Sequence, residues 1–286
     1  MESKHINFIG KYNVHEISFG KYKIKSYIFG KGKKVIFSLP SFPHSGLYYL
    51  WFISHYGLSK IKFITFDLPG WIGASDNIFT EEKFSLDRYI QVAETVLEFY
   101  GVRNFSLIGY SFGGALAIRL AVDHPERVNK LVLVSTFVDG KLNQRSGIGR
   151  ILKCLYLFKW GWFLKIYVKL RFRKYENCLR KEGFFESGMK FYERLVSKCN
   201  GTILLQSIYT LFNTDWTNSL RQLKGSRHIL VVSSKDEDKF LRAQSEHIRR
   251  ELEHEKTMFI HGRHEDFLLK PNSEVVKKVV DFLTND

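Results

Sequence analysis

Cysteine is scarce in this chain: Cys154, Cys178 and Cys199 are the whole complement in 286 residues. They fall at no metal-binding spacing, and an odd number cannot all pair. A zinc module and a disulfide framework are therefore not expected, and a reducing, cytoplasmic setting is. No apolar stretch follows Met1-Glu2-Ser3-Lys4-His5, so no secretory leader is expected. One run without Asp, Glu, Lys or Arg, Val35 to Ser59, is long enough to raise a membrane span. Pro40, Pro43, His44, Gly46 and His55 interrupt it, which fits a strand, a loop and a buried helix instead. Internal repeats and low-complexity linkers are missing too. Acidic residues are short, at 29 against 44 Lys and Arg, a formal net charge of +15.

What is present suffices for a sizeable core: 44% of residues are hydrophobic, and the length suits one large domain or one core with an insert. Val14 to Phe19 and Lys23 to Ile28 alternate with period two around Gly20-Lys21, as an antiparallel pair would. Val35 to Ser38 and Ile61 to Phe66 read as strands, with an apolar helix from Leu47 to Tyr56 between them. Ser85 is placed to cap a helix reaching about Tyr100, with Tyr89, Ala93, Val96, Leu97 and Tyr100 on one stripe. Strands follow at Phe105 to Ile108 and Val128 to Val134. From Asp139 to Gly225 the strand rhythm gives way to aromatic, basic, helix-like segments. It resumes with a strand at His228 to Val232, a helix at Phe240 to Leu252, a strand at Thr257 to His261 and a helix at Ser273 to Leu283. This alternation predicts an α/β fold: a mostly parallel, twisted central sheet with helices on both faces and an inserted helical cap. The expected core is residues 1–138 and 226–286, and the expected cap is 139–225.

The run Gly109-Tyr110-Ser111-Phe112-Gly113 is a G-x-S-x-G pattern between a strand and a helix running from Gly113 to Val122. A serine at such a sharp turn is strained and crowded, which small flanking residues permit, and its Oγ projects at the carboxyl edge of the sheet. A serine nucleophile needs a base and a carboxylate to orient that base. Among ten histidines, His264 clears the end of a strand and follows a glycine turn, which favours it over His261. Asp236 lies just beyond the strand ending at Val232 and is the expected acid, with adjacent Glu237 and Asp238 as alternatives if the turn shifts. Backbone N–H groups of Phe112 and Phe42 are the expected oxyanion donors. No cysteine or carboxylate cluster accompanies His261 and His264, so no metal or other cofactor is expected.

These residues resemble the α/β-hydrolase fold superfamily, the capped serine-hydrolase type. Phe66 to Asp76 is similar to its D-x-P-G-x-G-x-S-D loop with one residue of difference. His124-Pro125-Glu126-Arg127-Val128 and the ending Gly262-Arg263-His264 are similar as well. The order Ser111, Asp236, His264 is the family's nucleophile, acid, base order. Two positions depart from the pattern: Pro40-Ser41 stands where His-Gly is usual, and Ser233 where glycine is common. The resemblance implies hydrolysis of a carboxylic ester or lactone with an apolar moiety through an acyl-enzyme. The alternatives are C–C bond hydrolysis on the same fold, a membrane-surface lipase or lysophospholipase, and a non-catalytic ligand-binding homologue.

Between Lys141 and Gly225 stand 17 Lys and Arg against five Asp and Glu, most of the chain's positive excess. Aromatic residues interleave with them. One face of this cap is expected to roof the substrate pocket, with Ser41, Trp160 and Trp162 as candidate lining. The other is expected to offer weak association with an anionic membrane surface. No nucleic-acid-binding motif accompanies the charge, which argues against that partner.

Overall fold

The computed structural model describes residues 12–41, 45–47, 49, 53, 61–71, 75–79, 84–144, 147–167, 169–170, 200–225, 228–253, 256–262, 264, 266–269 and 272–285. Among the described residues eight strands form one sheet: β1 (Tyr12–Phe19), β2 (Tyr22–Phe29), β3 (Lys34–Leu39), β4 (Ile61–Phe66), β5 (Phe105–Tyr110), β6 (Val128–Val134), β7 (Ile229–Ser234) and β8 (Lys256–Ile260). Their order is β1-β2-β4-β3-β5-β6-β7-β8. The β1–β2 hairpin joins β4 antiparallel, and every pairing from β4 onward is parallel. The expected strands are all present, but β5 runs on to Tyr110 and β7 to Ser234. The polar ends Gly109-Tyr110 and Ser233-Ser234 masked that continuation in the sequence.

β5 is buried along its whole length, as a central parallel strand covered on both sides must be. Alternate residues prove the two-sided cover. Ser106 Oγ donates to Leu283 O of the C-terminal helix at 2.6 Å, while a side chain at Gly109 would run into Gly113, Gly114 and Ala117 of the helix that follows β5. Residues 106 and 109 point to opposite faces, so helices pack on both.

The helices of the core are α1 (Leu86–Phe99), α2 (Phe112–Asp123) and, after the insert, α7 (Lys239–Leu252), α8 (Asp266–Leu269) and α9 (Ser273–Thr284). Ser85 caps α1 through Asp87 N at 3.2 Å, and Tyr89, Ala93, Val96 and Leu97 face inward as expected. Of the helix expected over Leu47 to Tyr56, Tyr49 and Ile53 are helical and buried, Leu47 is a buried turn residue, and the rest lies outside the described residues.

The segment between β6 and β7 carries α3 (Lys141–Gln144), α4 (Gly147–Leu157), a helical run at 161–167 and 169–170, α5 (Gly201–Asn213) and α6 (Thr217–Gln222). It leaves and re-enters the core through a narrow neck. Asp139 and Asp215 form an isolated antiparallel bridge, and Trp216 N donates to Val138 O at 2.9 Å. Buried Gln244 of α7 locks the neck, accepting from Val138 N and Asp139 N at 2.9 Å each and donating to Asp139 O at 2.6 Å. α6, within the expected 139–225 insert, packs against α2 and α7.

Candidate active site

Parallel register brings the chemistry-bearing loops to one edge. Leu39 pairs with Gly109, Tyr110 with Val134 and Ser234 with Ile260, so the carboxyl ends of β3, β5, β6, β7 and β8 stand side by side. Ser41 follows β3, Ser111 follows β5, Asp236 to Asp238 follow β7, and His264 follows β8.

Ser111 has φ 53° and ψ −118°, a left-handed backbone that L-residues rarely adopt. The crowding that forces it is measurable. An added Cβ on Gly113 would fall on the carbonyl oxygen of Leu39, and one on Gly114 would fall on Thr136. The turn can be this tight only because its flanks lack side chains. Ser111 occupies the N-cap position of α2, where a serine ordinarily spends its Oγ on the first-turn amides. Here the side chain makes no cap hydrogen bond. The strained backbone turns the hydroxyl away from the helix it begins, and the amino end of α2 favours negative charge beside it. Phe112, the first residue of α2, is buried; Phe42, the other expected oxyanion donor, lies outside the described residues.

His264 follows β8, three strand spacings from β5, so roughly 14 Å separates their ends along the sheet. The chain after β8 covers that distance and is fastened by Tyr110, the residue immediately before Ser111. Tyr110 Oη donates to His264 O at 2.8 Å, and the two rings stack with centroids 4.8 Å apart at 29°. Phe267 of α8 stacks on the same tyrosine at 6.3 Å. Tyr110 thus fastens His264 to the residue that precedes Ser111. The sequence offered no sign of this contact beyond the aromatic character of the position.

The three adjacent carboxylates have three different fates, and the one expected at the imidazole is not the one found there. Asp236 is exposed; its Oδ2 accepts from Gly262 N at 2.8 Å and lies 3.6 Å from His261 Nδ1. The Gly262 hydrogen bond, with the positive character of His261 behind it, holds its carboxyl below the usual range. Asp238 caps α7, accepting from Leu241 N at 2.9 Å. Glu237 has a fully buried side chain, and its Oε1 lies 3.4 Å from His264 Nδ1. Its Oε2 is buried without a partner among the described residues. The reason for the displacement is the longer β7. Ser233 and Ser234 still pair with Phe259 and Ile260, so the turn begins two residues later than the last valine suggests, and Glu237 points inward. Asp238 could have been set aside from sequence alone, as a cap placed one residue before a helix.

Ser41 is buried at this edge. Trp160 and Trp162 are 47% and 60% exposed. His124 pairs with Glu94 at 2.7 Å, far from the serine edge at the end of α2. His247 is buried and bonded to Thr217 Oγ1 at 2.8 Å.

A second buried carboxylate supports the site from below. Asp67, at the end of β4, accepts from Tyr27 Oη at 2.6 Å, from Ser45 Oγ at 2.5 Å and from Gly46 N at 2.9 Å. It ties the chain leaving the β3 loop to the sheet. Burial beside Asp67 pushes the Tyr27 hydroxyl far up, so it stays a donor. The following Trp71 packs on Phe112 with ring centroids 4.7 Å apart and donates from Nε1 to Ser207 Oγ of α5 at 2.9 Å. The insert is thereby fixed to the residue after the serine. Among the described residues, no group of three His, Cys, Asp or Glu side chains is placed to hold a metal ion.

An open, mostly parallel sheet with a strained serine between a strand and a helix, and a histidine after the last strand held by the residue before that serine, defines a class of α/β proteins with polar groups gathered along one sheet edge. The chain belongs to the alpha/beta hydrolase fold family, whose model matches residues 34–271. A 2-hydroxymuconate semialdehyde hydrolase of Pseudomonas putida is 44% identical over 54 residues, a stretch that covers 19% of this chain and 19% of that protein. The chain thus spans about a fifth of that relative's length in the match. Solved structures with the same fold include the enol-lactonase of Burkholderia xenovorans LB400, with a TM-score of 0.72 at 14% identity, covering 96% of this chain and 100% of that one. An esterase of Exiguobacterium antarcticum superposes with a TM-score of 0.71 at 16% identity, covering 96% and 99%.

Proposed function

We propose that this chain is a serine hydrolase of carboxylic esters or lactones with an apolar moiety, using Ser111, His264 and Glu237. The observation that carries the reading is the pairing of His264 Nδ1 with the buried Glu237 carboxylate, on a loop held against the residue preceding a strained, uncapped serine. The pairing leaves Nε2 as the imidazole nitrogen available to take a proton. Ser111 Oγ attacks the substrate carbonyl carbon as its proton passes to Nε2, and the carbonyl oxygen becomes an oxyanion. Phe112 N–H, at the amino end of α2, is one donor to that oxyanion, and Phe42 N–H is the second proposed donor. Collapse breaks the bond to the alkoxy group, which leaves with the proton from Nε2. Water then gives a proton to Nε2 and attacks the acyl carbon, releasing the acid and restoring the Ser111 hydroxyl. Glu237 keeps the imidazole oriented and balances its charge while it holds the proton.

The esterase and enol-lactonase folds named above are compatible with this chemistry, and the identity of the nucleophile supports it further, since Ser111 has the free hydroxyl that an acyl-enzyme needs. The test is hydrolysis of p-nitrophenyl esters of rising acyl length by the wild type, Ser111→Ala and His264→Ala. Both variants are expected to fall to background while staying folded. Wild-type rates no higher than Ser111→Ala on every ester, with no labelling of Ser111 by a serine-directed phosphonate, would overturn the assignment.

A further inference from the structure

The outer face of the insert carries none of the residues assigned to that chemistry. α4 ends in a tight corner in which Lys159 has φ 56° and Trp160 N donates to Leu155 O at 2.8 Å; the helical run from 161 then begins. The inner side of this corner is anchored. Leu155 and Leu164 are buried, the Tyr156 ring lies parallel on Tyr209 at 3.8 Å, and the Gly161 backbone rests directly against Gly201 of α5. The outer side is apolar and bare. Leu157 and Phe158 are each 64% exposed, Trp162 60%, Phe163 51%, Ile166 47% and Leu170 59%. Trp162, Phe163, Ile166 and Leu170 recur at helical spacing, so they form one stripe on the side away from Leu164. Single exposed apolar residues need no explanation, but a contiguous set on a supported corner marks an interaction surface.

The charge around the stripe selects the occupant. From residue 141 to 175 the sequence has ten Lys and Arg and no Asp or Glu. Lys153 on α4, Lys159 at the corner and Lys169 on the following helical run are all exposed. A second copy of the chain would set like charges against each other. An anionic lipid surface instead offers phosphate and carboxylate groups to the lysines and an acyl layer to the aromatic rings, which suit the headgroup boundary. No helix among the described residues is long and apolar enough to cross a membrane, so the contact is one that lies in the plane of the interface. We propose that the corner formed by α4 and the helical run at 161–167 and 169–170 docks this protein onto anionic lipid surfaces, inserting Leu157, Phe158, Trp162, Phe163, Ile166 and Leu170 between lysines that bind the headgroups. This does not rest on the serine chemistry.

The full chain is sedimented with phosphatidylcholine vesicles, with and without phosphatidylserine, at rising salt. Binding is expected only to the phosphatidylserine vesicles and is expected to weaken with salt. Lys153→Gln with Lys169→Gln should lower partitioning roughly fivefold per lysine. Phe163→Ser with Ile166→Ser and Leu170→Ser should abolish it, with melting temperature and hydrolysis of a soluble short-chain ester in vesicle-free buffer unchanged. Four results overturn the proposal: no pelleting with phosphatidylserine vesicles; equal partitioning of the triple variant and the wild type; a concentration-dependent dimer that the triple variant disrupts; or tryptophans at 160 and 162 shielded from aqueous acrylamide in the free protein. Loss of ester hydrolysis with vesicle binding intact would instead count against the proposed function and leave the docking surface standing.

Discussion

Glu237 and Asp236 are neighbours in sequence, and replacing each by its amide separates their roles. In the proposed acyl transfer His264 would gain a positive charge, and Glu237 Oε1 stands 3.4 Å from its Nδ1 with the glutamate side chain fully buried. At an effective dielectric of about 20, opposite charges at that distance attract by about 5 kcal/mol. The attraction exists only once the imidazole is charged, so it lowers the barrier and not the energy of the bound substrate. Glu237→Gln should therefore lower kcat/KM by roughly 1,000- to 10,000-fold. The fall should appear in kcat, because Glu237 faces the imidazole and not the substrate. The amide adds a second penalty, since its NH2 can turn toward Nδ1 and hold the wrong tautomer. Asp236→Asn should cost less than about tenfold, because the carboxylate is 52% exposed and solvent-screened, and its partners are Gly262 N and His261. The assay is steady-state ester hydrolysis, with circular dichroism and thermal melting of each variant to show an intact fold. Equal losses in the two variants, or more than a tenth of wild-type kcat/KM in Glu237→Gln, would refute the reasoning.

Tyr110→Phe removes the hydroxyl that donates to His264 O at 2.8 Å but keeps the stacked ring. It should cost about 1 kcal/mol, or roughly fivefold in kcat with KM unchanged. Tyr110→Leu should cost a further roughly fivefold; a change confined to KM would refute a positioning role. Gly114→Ala places a Cβ 2.5 Å from Cγ2 of Thr136, which is buried and has no room to yield. Overpacking of about 2 to 3 kcal/mol should lower the melting temperature by roughly 5 to 10 °C, and an unchanged melting curve would refute the crowding argument. Asp215, at the neck of the insert, is held at about 2 by the Thr217 hydroxyl and backbone N–H and by Lys141, against an ordinary 3.8. Its folded value is the lower one, so its stabilisation is present above pH 4 and is lost as pH falls through 2. Its side chain is 34% exposed, so screening leaves about 1 kcal/mol of that stabilisation. Asp215→Asn should be destabilised by that amount at pH 7 and match the wild type near pH 2 in urea titrations; a constant difference across pH would refute the linkage.

The fold and the serine were legible in the sequence because both are written in short-range terms. Period-two alternation at Val14 to Phe19, the capped stripe after Ser85 and the glycines around Ser111 each specify local geometry within a dozen residues, and that geometry is what the structure contains. Local pattern also singled out His264, because a strand end followed by a glycine turn is a local signal. It could not say which carboxylate meets it. That choice depends on where β7 stops, and β7 stops where its hydrogen bonds to β8 stop, at Ser234 opposite Ile260. Serine carries no apolar signature to announce those last two pairs. The Tyr110 clamp joins residues 154 apart, and the Glu237–His264 contact joins residues 27 apart. Such contacts come from parallel register across four strands, a cooperative property of the sheet with no trace in either neighbourhood. The same limit applies to Trp160 and Trp162. An aromatic in an apolar pattern suits a pocket wall and an outer face equally, and only the seating of Leu155, Leu164 and Gly161 against the rest of the insert decided which side of the corner faces out.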